Sequence, residues 1–112
     1  MFTAKEQELL SLKYFRLVML VTDACELESE TGDHWLIIKK QFKVPRAQIH
    51  RVKHQYTFMI YHRHKGSEGF HSHLELDSAL SVVLEILAHD DYRTGRTGRT
   101  AFDTVKEKYQ DG

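Results

Sequence analysis

Two histidine pairs of the form HxH, His62 with His64 and His71 with His73, stand close together in the segment YHRHKGSEGFHSH. Alternate residues of a strand point the same way, so each pair offers two imidazoles to one side. Imidazole serves as a ligand for zinc, copper, nickel or iron, and also as an acid or base near neutral pH. A metal centre needs three or four donors converging on one point. Acid/base chemistry on RNA needs two titrating groups and a cation for the phosphate, which these histidines with Arg63 or Lys65 can supply without a metal. A further pair, His50 and His54, has the spacing of one helix face. Arg46, Arg51 and Lys53 surround it with charge that repels a cation, so it reads as a solvated basic face.

Register decides which of these chemistries is open. Strands over 56–64 and 70–76, joined around KGSEG, place Phe58, Ile60, Phe70, Leu74 and Leu76 on a core face and Met59, Tyr61, Arg63, His71, His73 and Glu75 on the other. In that register His62 opposes Ser72 and His64 opposes Phe70, which divides the two HxH pairs between the faces. Gathering them requires a one-residue slip that turns Phe70 and Leu74 away from Phe58 and Ile60. No metal site, cofactor or assigned catalytic residue is therefore expected. The seven residues from His62 to Glu68 resemble the HxHxxxE fragment of the cupin metal motif, with Tyr56 and Glu75 where that family's flanking glycines would stand.

Charge points to a partner. From His34 to Ser67 there is no Asp or Glu, while the stretch holds eight Lys or Arg and five of the eight histidines. The formal net charge is nonetheless zero, which argues against a protein that coats nucleic acid through bulk charge and leaves a local basic surface. The expected function is binding, without catalysis, of an anionic partner, single-stranded nucleic acid first. Tyr61 would stack, Arg63, His71 and His73 would contact phosphate or base, and Lys39, Lys40, Lys43, Arg46, Arg51 and Lys53 would track the backbone. Arg93, Arg96 and Arg99, in a glycine-containing repeat, offer a further basic arm or a plain connector.

Two alternatives stand beside this reading. One is a protein-interaction or regulatory module in which the acidic segment from Glu26 to Asp33 and the basic block meet an acidic protein or a second copy. Trp35 separates the classes: buried it is core, and exposed it is an interface anchor. The other alternative is a metal-independent ribonuclease built on histidine pairs. Covalent and nucleotide-dependent catalysis are disfavoured, because no GxSxG, P-loop or dinucleotide fingerprint occurs and Cys25 lies in an acidic segment that raises a thiol pKa. A lone cysteine suits a reducing, cytoplasmic setting. The longest strongly apolar run, Leu17 to Val21, is too short to span about 30 Å of hydrocarbon, so no membrane is expected.

The elements that must position these residues follow from periodicity. Thr3 and Glu6 have capping-box spacing, and Leu10, Tyr14, Leu17, Val21 and Ala24 continue at helical intervals, predicting a helix over about 4–23, although YFRLVMLV also fits a buried strand. Thr31-Gly32-Asp33 is turn chemistry between strand-like arms at 25–29 and 34–39. Pro45 suits the first turn of a short connecting helix. After the second hairpin, Asp77 or Ser78 caps a helix whose inward stripe is Leu80, Val83, Leu84 and Leu87, and a last helix runs from Ala101 to about Tyr109. The whole reads as a single α+β domain over 1–112: a meander of about four antiparallel strands with helices on one face and the other face open.

Overall fold

A computed structural model describes residues 1–41, 56–66 and 68–110, with the side chain of His73 not included. Its fold class is α+β: three helices and an antiparallel sheet whose described strands lie in chain order β1-β2-β3-β4-β5. The sheet thus has more strands than the four expected, and the additional one comes from the first apolar run. Helix α1 spans only Ala4–Leu10, opened by the capping box of Thr3 and Glu6. The chain then turns and enters β1, Arg16–Val21, the strand alternative for this segment. It is not buried: Val18, Met19, Leu20 and Val21 are all exposed, and β1 is an edge of the sheet among the described residues. Branched Val18 and Val21 favour extended backbone, and pairing with β2 supplies hydrogen bonds that an isolated second half of a helix would have to find within itself.

Strands β2 (Ala24–Glu28) and β3 (His34–Gln41) form the expected hairpin. Gly32 adopts a left-handed φ of 87°, which the turn requires. An added Cβ there would come within 2.8 Å of the Lys65 side chain, which packs across this turn from the next hairpin. β4 (Tyr56–Arg63) and β5 (His71–Leu76) follow, then α2 (Ala79–Thr94), N-capped by Ser78 and closed by left-handed Gly95, and α3 (Ala101–Tyr109). The expected turn of helix at Pro45, the His50/His54 pair, and Lys43, Arg46, Arg51 and Lys53 lie outside the described residues.

One face of the sheet is covered. Cys25, Leu27, Trp35, Ile37, Phe58 and Ile60 meet Leu9 and Leu10 of α1 and Ala79, Val82, Val83, Ile86 and Leu87 of α2 in a single apolar cluster, with Phe2 stacked on Phe58 at 6.2 Å. Trp35 is fully buried and belongs to this core. Lys39, expected on a binding surface, is instead 4% exposed and lies on the core side, its Nζ donating to Glu6 Oε1 at 2.8 Å. Among the described residues no helix is long and apolar enough to cross a membrane.

Candidate functional site

The second hairpin departs from the expected register at one residue, and the site follows from that departure. Phe58 pairs with Leu76, Met59 with Glu75 and Ile60 with Leu74, as the apolar pattern demands. Beyond Ile60 the register shifts: Tyr61 pairs with Ser72 and His62 with His71. The ladder skips His73, a β-bulge that confines the one-residue slip to the last pairs and leaves the core pairs intact. His71 therefore lies across from His62, not across from Arg63 on the open face. Phe70 leaves the core face as well: it is 38% exposed and lies 5.2 Å from the Arg63 guanidinium.

His62 stands at the end of the core face. Its ring stacks on Trp35 of β3 with centroids 4.0 Å apart and planes within 7°, and it is buried. Its Nε2–H donates to Oδ2 of Asp33 at 2.8 Å. Asp33, from the β2–β3 turn, is 0% exposed, and its other oxygen accepts the backbone N–H of Lys65 at 3.0 Å. Three more nitrogens approach Asp33 Oδ2: Arg93 Nη1 at 3.5 Å, His64 Nδ1 at 3.8 Å and His89 Nε2 at 3.9 Å. Helix α2 supplies His89 and Arg93, and His89 also meets the edge of Trp35, 5.0 Å between centroids.

A second buried carboxylate backs the first. Asp90 Oδ1 accepts from Ser29 Oγ at 3.1 Å and Thr31 Oγ1 at 3.3 Å, and His89 Nδ1 lies 3.4 Å away. Ser29 Oγ in turn accepts from the Trp35 indole N–H at 3.4 Å. His89 thus stands between two carboxylates whose pKa values are shifted in opposite directions. Burial pushes the Asp33 carboxyl up, but the His62 hydrogen bond, the Lys65 amide and the charges of His62 and Arg93 more than offset it and hold it below the usual range. Burial pushes Asp90 up, and its hydrogen bonds with His89, Ser29 and Thr31 do not compensate. Burial also lowers His62, with the Asp33 hydrogen bond opposing in part. At neutral pH the pair is accordingly an ionised Asp33 facing a neutral His62 that carries its proton on Nε2.

At the rim the site reaches water. His64 is 49% and Arg93 45% exposed, and His71 and Lys65 are exposed beside them. The rings of His62, His64 and His71 form a triangle with centroids 4.3 to 5.3 Å apart. Two clefts of about 510 and 600 Å³ lie elsewhere, between α1 and α3 and near the start of β4, and neither includes these groups. The histidine site is a shallow rim suited to an ion or a phosphate.

Of the residues expected to bind nucleic acid, His71 joins this cluster, while Tyr61 and Arg63 lie on the other face of the sheet, where Arg63 Nη2 is 3.7 Å from Glu26 Oε1. Lys40 is exposed on β3, away from the cluster. The arginine repeat is held by internal ion pairs: Arg96 with Glu30, and Arg99 with Glu107 at 2.6 Å. The Cys25 thiol is pushed up to about 12, and the cause is burial in place of the expected acidic neighbours. Sequence reasoning took Asp33 for a turn residue and passed over Asp90, yet Asp90 continues the inward stripe of α2 through Val83, Ile86 and Leu87, so a buried acid was visible in the spacing. Comparison with protein-family models, with curated proteins and with solved structures finds no match to this chain.

Proposed function

We propose that this protein binds a phosphate-bearing anionic partner, single-stranded nucleic acid foremost, at the rim formed by His64, Lys65, His71 and Arg93. One observation carries the reading: His62, His64, His89 and Arg93 all lie within 4 Å of a single carboxylate oxygen of Asp33. One carboxylate oxygen cannot satisfy so many donors at once, and the donor capacity left over, with the fixed charge of Arg93, faces the side where the site is open to water. A phosphate can take donors from Arg93 and the rim histidines together. Phe70, half-exposed at the tip of the same hairpin, offers a base a stacking surface. The single buried thiol accords with a reducing, cytoplasmic setting.

A second reading, metal-independent cleavage of RNA, draws on a more specific observation: His64 and His71 face one another at 5.3 Å between centroids beside Arg93, a pair of imidazoles with a cation. Binding of labelled single-stranded RNA and DNA, followed by fluorescence anisotropy at about 50 and 200 mM salt, tests the first reading. The expected result is saturable binding that weakens steeply with salt and falls at least tenfold in the double variant Lys65→Glu, Arg93→Glu. Loss of binding in Arg46→Glu, Arg51→Glu, Lys53→Glu with Lys65→Glu, Arg93→Glu unaffected would move the contact to the other basic segment. An absence of binding at low salt would overturn the reading in favour of a protein partner. Cleavage of the same RNA with a bell-shaped pH profile, insensitive to chelator and lost in His71→Ala, would establish the second.

A further inference from the structure

The bulge at β5 removes the reason for keeping the histidine pairs apart, and it does so at one place. The ligand-capable atoms of His62, His64 and His71 all lie within 4.8 Å of one another, and those of Asp33, His62 and His89 form a second such group. Nitrogens tetrahedrally bound to zinc at about 2.0–2.1 Å are roughly 3.3 Å apart, so the three rings need to close by at most about 1.5 Å, within the reach of side-chain rotation. Chemistry separates the two groups. Asp33 is already engaged by the Lys65 amide and by Nε2–H of His62 and has Arg93 at 3.5 Å, a positive group that opposes a cation on the carboxylate itself. In the other group two of the three residues, His64 and His71, are exposed, so an ion can enter and retain an open coordination position.

We propose that His62, His64 and His71 hold a late first-row divalent metal ion, zinc foremost, with Asp33 as the outer carboxylate that orients His62. The pattern is that of a catalytic ion: three imidazoles, a carboxylate behind one of them, and room for solvent in the fourth position. The Asp33 hydrogen bond orients the His62 ring toward one side of the site. Stacking on Trp35 clamps the ring plane, so the least mobile of the three ligands is also the innermost. His62 at the end of β4, His64 just beyond it and a single histidine from β5 are an arrangement that a regular ladder of this sequence would not produce, and the bulge supplies it. An ion here would present a Lewis acid beside Arg93, where an anion would meet both. The inference does not depend on nucleic acid being the partner.

The test uses the untagged full chain, stripped with chelator and titrated with zinc by calorimetry and with cobalt by visible absorption. One equivalent per chain with micromolar or tighter affinity is expected, together with the intense d–d bands of tetrahedral cobalt. The double variant His64→Ala, His71→Ala should bind at least 100-fold more weakly while keeping its far-ultraviolet circular dichroism and melting transition, and Asp33→Asn should weaken binding about tenfold. The variant His50→Ala, His54→Ala should bind as the parent does. Absence of saturable zinc binding, or binding that survives His64→Ala, His71→Ala and disappears in His50→Ala, His54→Ala, would overturn the proposal. If nucleic-acid binding persists in the metal-stripped protein while zinc is not bound, the metal inference fails and the anion-binding reading stands.

Discussion

The two ends of the sheet's covered face each bury a carboxylate with its donors, and they do so in opposite styles. At the end nearest α1, Lys39 donates to Glu6 at 2.8 Å and to the Met1 carbonyl at 3.2 Å, with the Tyr56 ring 4.4 Å from its ammonium. Glu6 closes the loop by also accepting the Thr3 amide at 2.8 Å. Donors and acceptors there are matched and shut away from water. At the other end Asp33 is approached by more donors than it has lone pairs in good geometry, and those left at 3.5 to 3.9 Å face the solvent through His64 and Arg93. A matched pair holds a fold together. An unmatched one keeps donor capacity for something that is not part of the chain.

The largest effect should come from breaking the matched end. Lys39→Met leaves the Glu6 carboxylate buried without its cation, and chemical denaturation should show a loss of about 3 kcal/mol. The double variant Lys39→Met, Glu6→Gln should recover most of it, and a double variant no better than the single would show that Lys39 acts through packing alone. Next in size are the carboxylates of the other end. Asp33→Asn, which removes the ionised acceptor of His62, should cost about 2 kcal/mol, whereas Asp90→Asn should cost under about 1 kcal/mol, because Asn keeps an acceptor for Ser29 and Thr31 and removes a charge that burial already disfavours. Equal costs at the two positions would erase the distinction drawn between them.

The smallest effect is in pH. Because burial lowers His62, the unfolded chain binds a proton that the folded one refuses in the window below the ordinary histidine value of about 6.5. Stability from this group is complete above that value and is lost as pH falls. Asp33, held low, acts in the same sense further down, lost as pH drops below the usual carboxylate range. Asp90, held high, acts oppositely: its contribution is present in acid and lost as pH rises through its elevated value. Melting temperature should therefore decline between pH 7.5 and 5.5 at constant ionic strength, and the decline should be shallower in His62→Gln. A slope unchanged by that substitution would assign the titration to another group.

Local rules carried much of this fold. The Thr3/Glu6 box, the Thr31-Gly32-Asp33 turn, the cap at Ser78 and the last helix are set by neighbours within a few residues and appear where spacing puts them. The first helix stops at Leu10 because the apolar residues that seemed to extend it pair with β2, a contact that helical periodicity does not encode. The site was harder to read for the same reason. Asp33 meets His62 across 29 residues and Arg93 across 60, and its role as a turn residue hid its role as an acceptor. His71 changed faces through a single skipped residue, which period-two counting excludes by construction.

The exposed apolar strand β1 gives the molecule a colloidal problem that its histidines partly answer. Among the described residues β1 is an edge, and an edge with Val18, Met19, Leu20 and Val21 exposed is a template for strand-to-strand association between copies, while a chain of zero formal charge has little long-range repulsion to keep copies apart. Mild acid supplies that repulsion by adding positive charge to the chain, yet the same acid withdraws the stability contributed by the buried His62. Shelf life in solution and resistance to unfolding are thus opposed along the pH axis, and the useful storage range is a compromise that a single lysine in place of Met19 would widen.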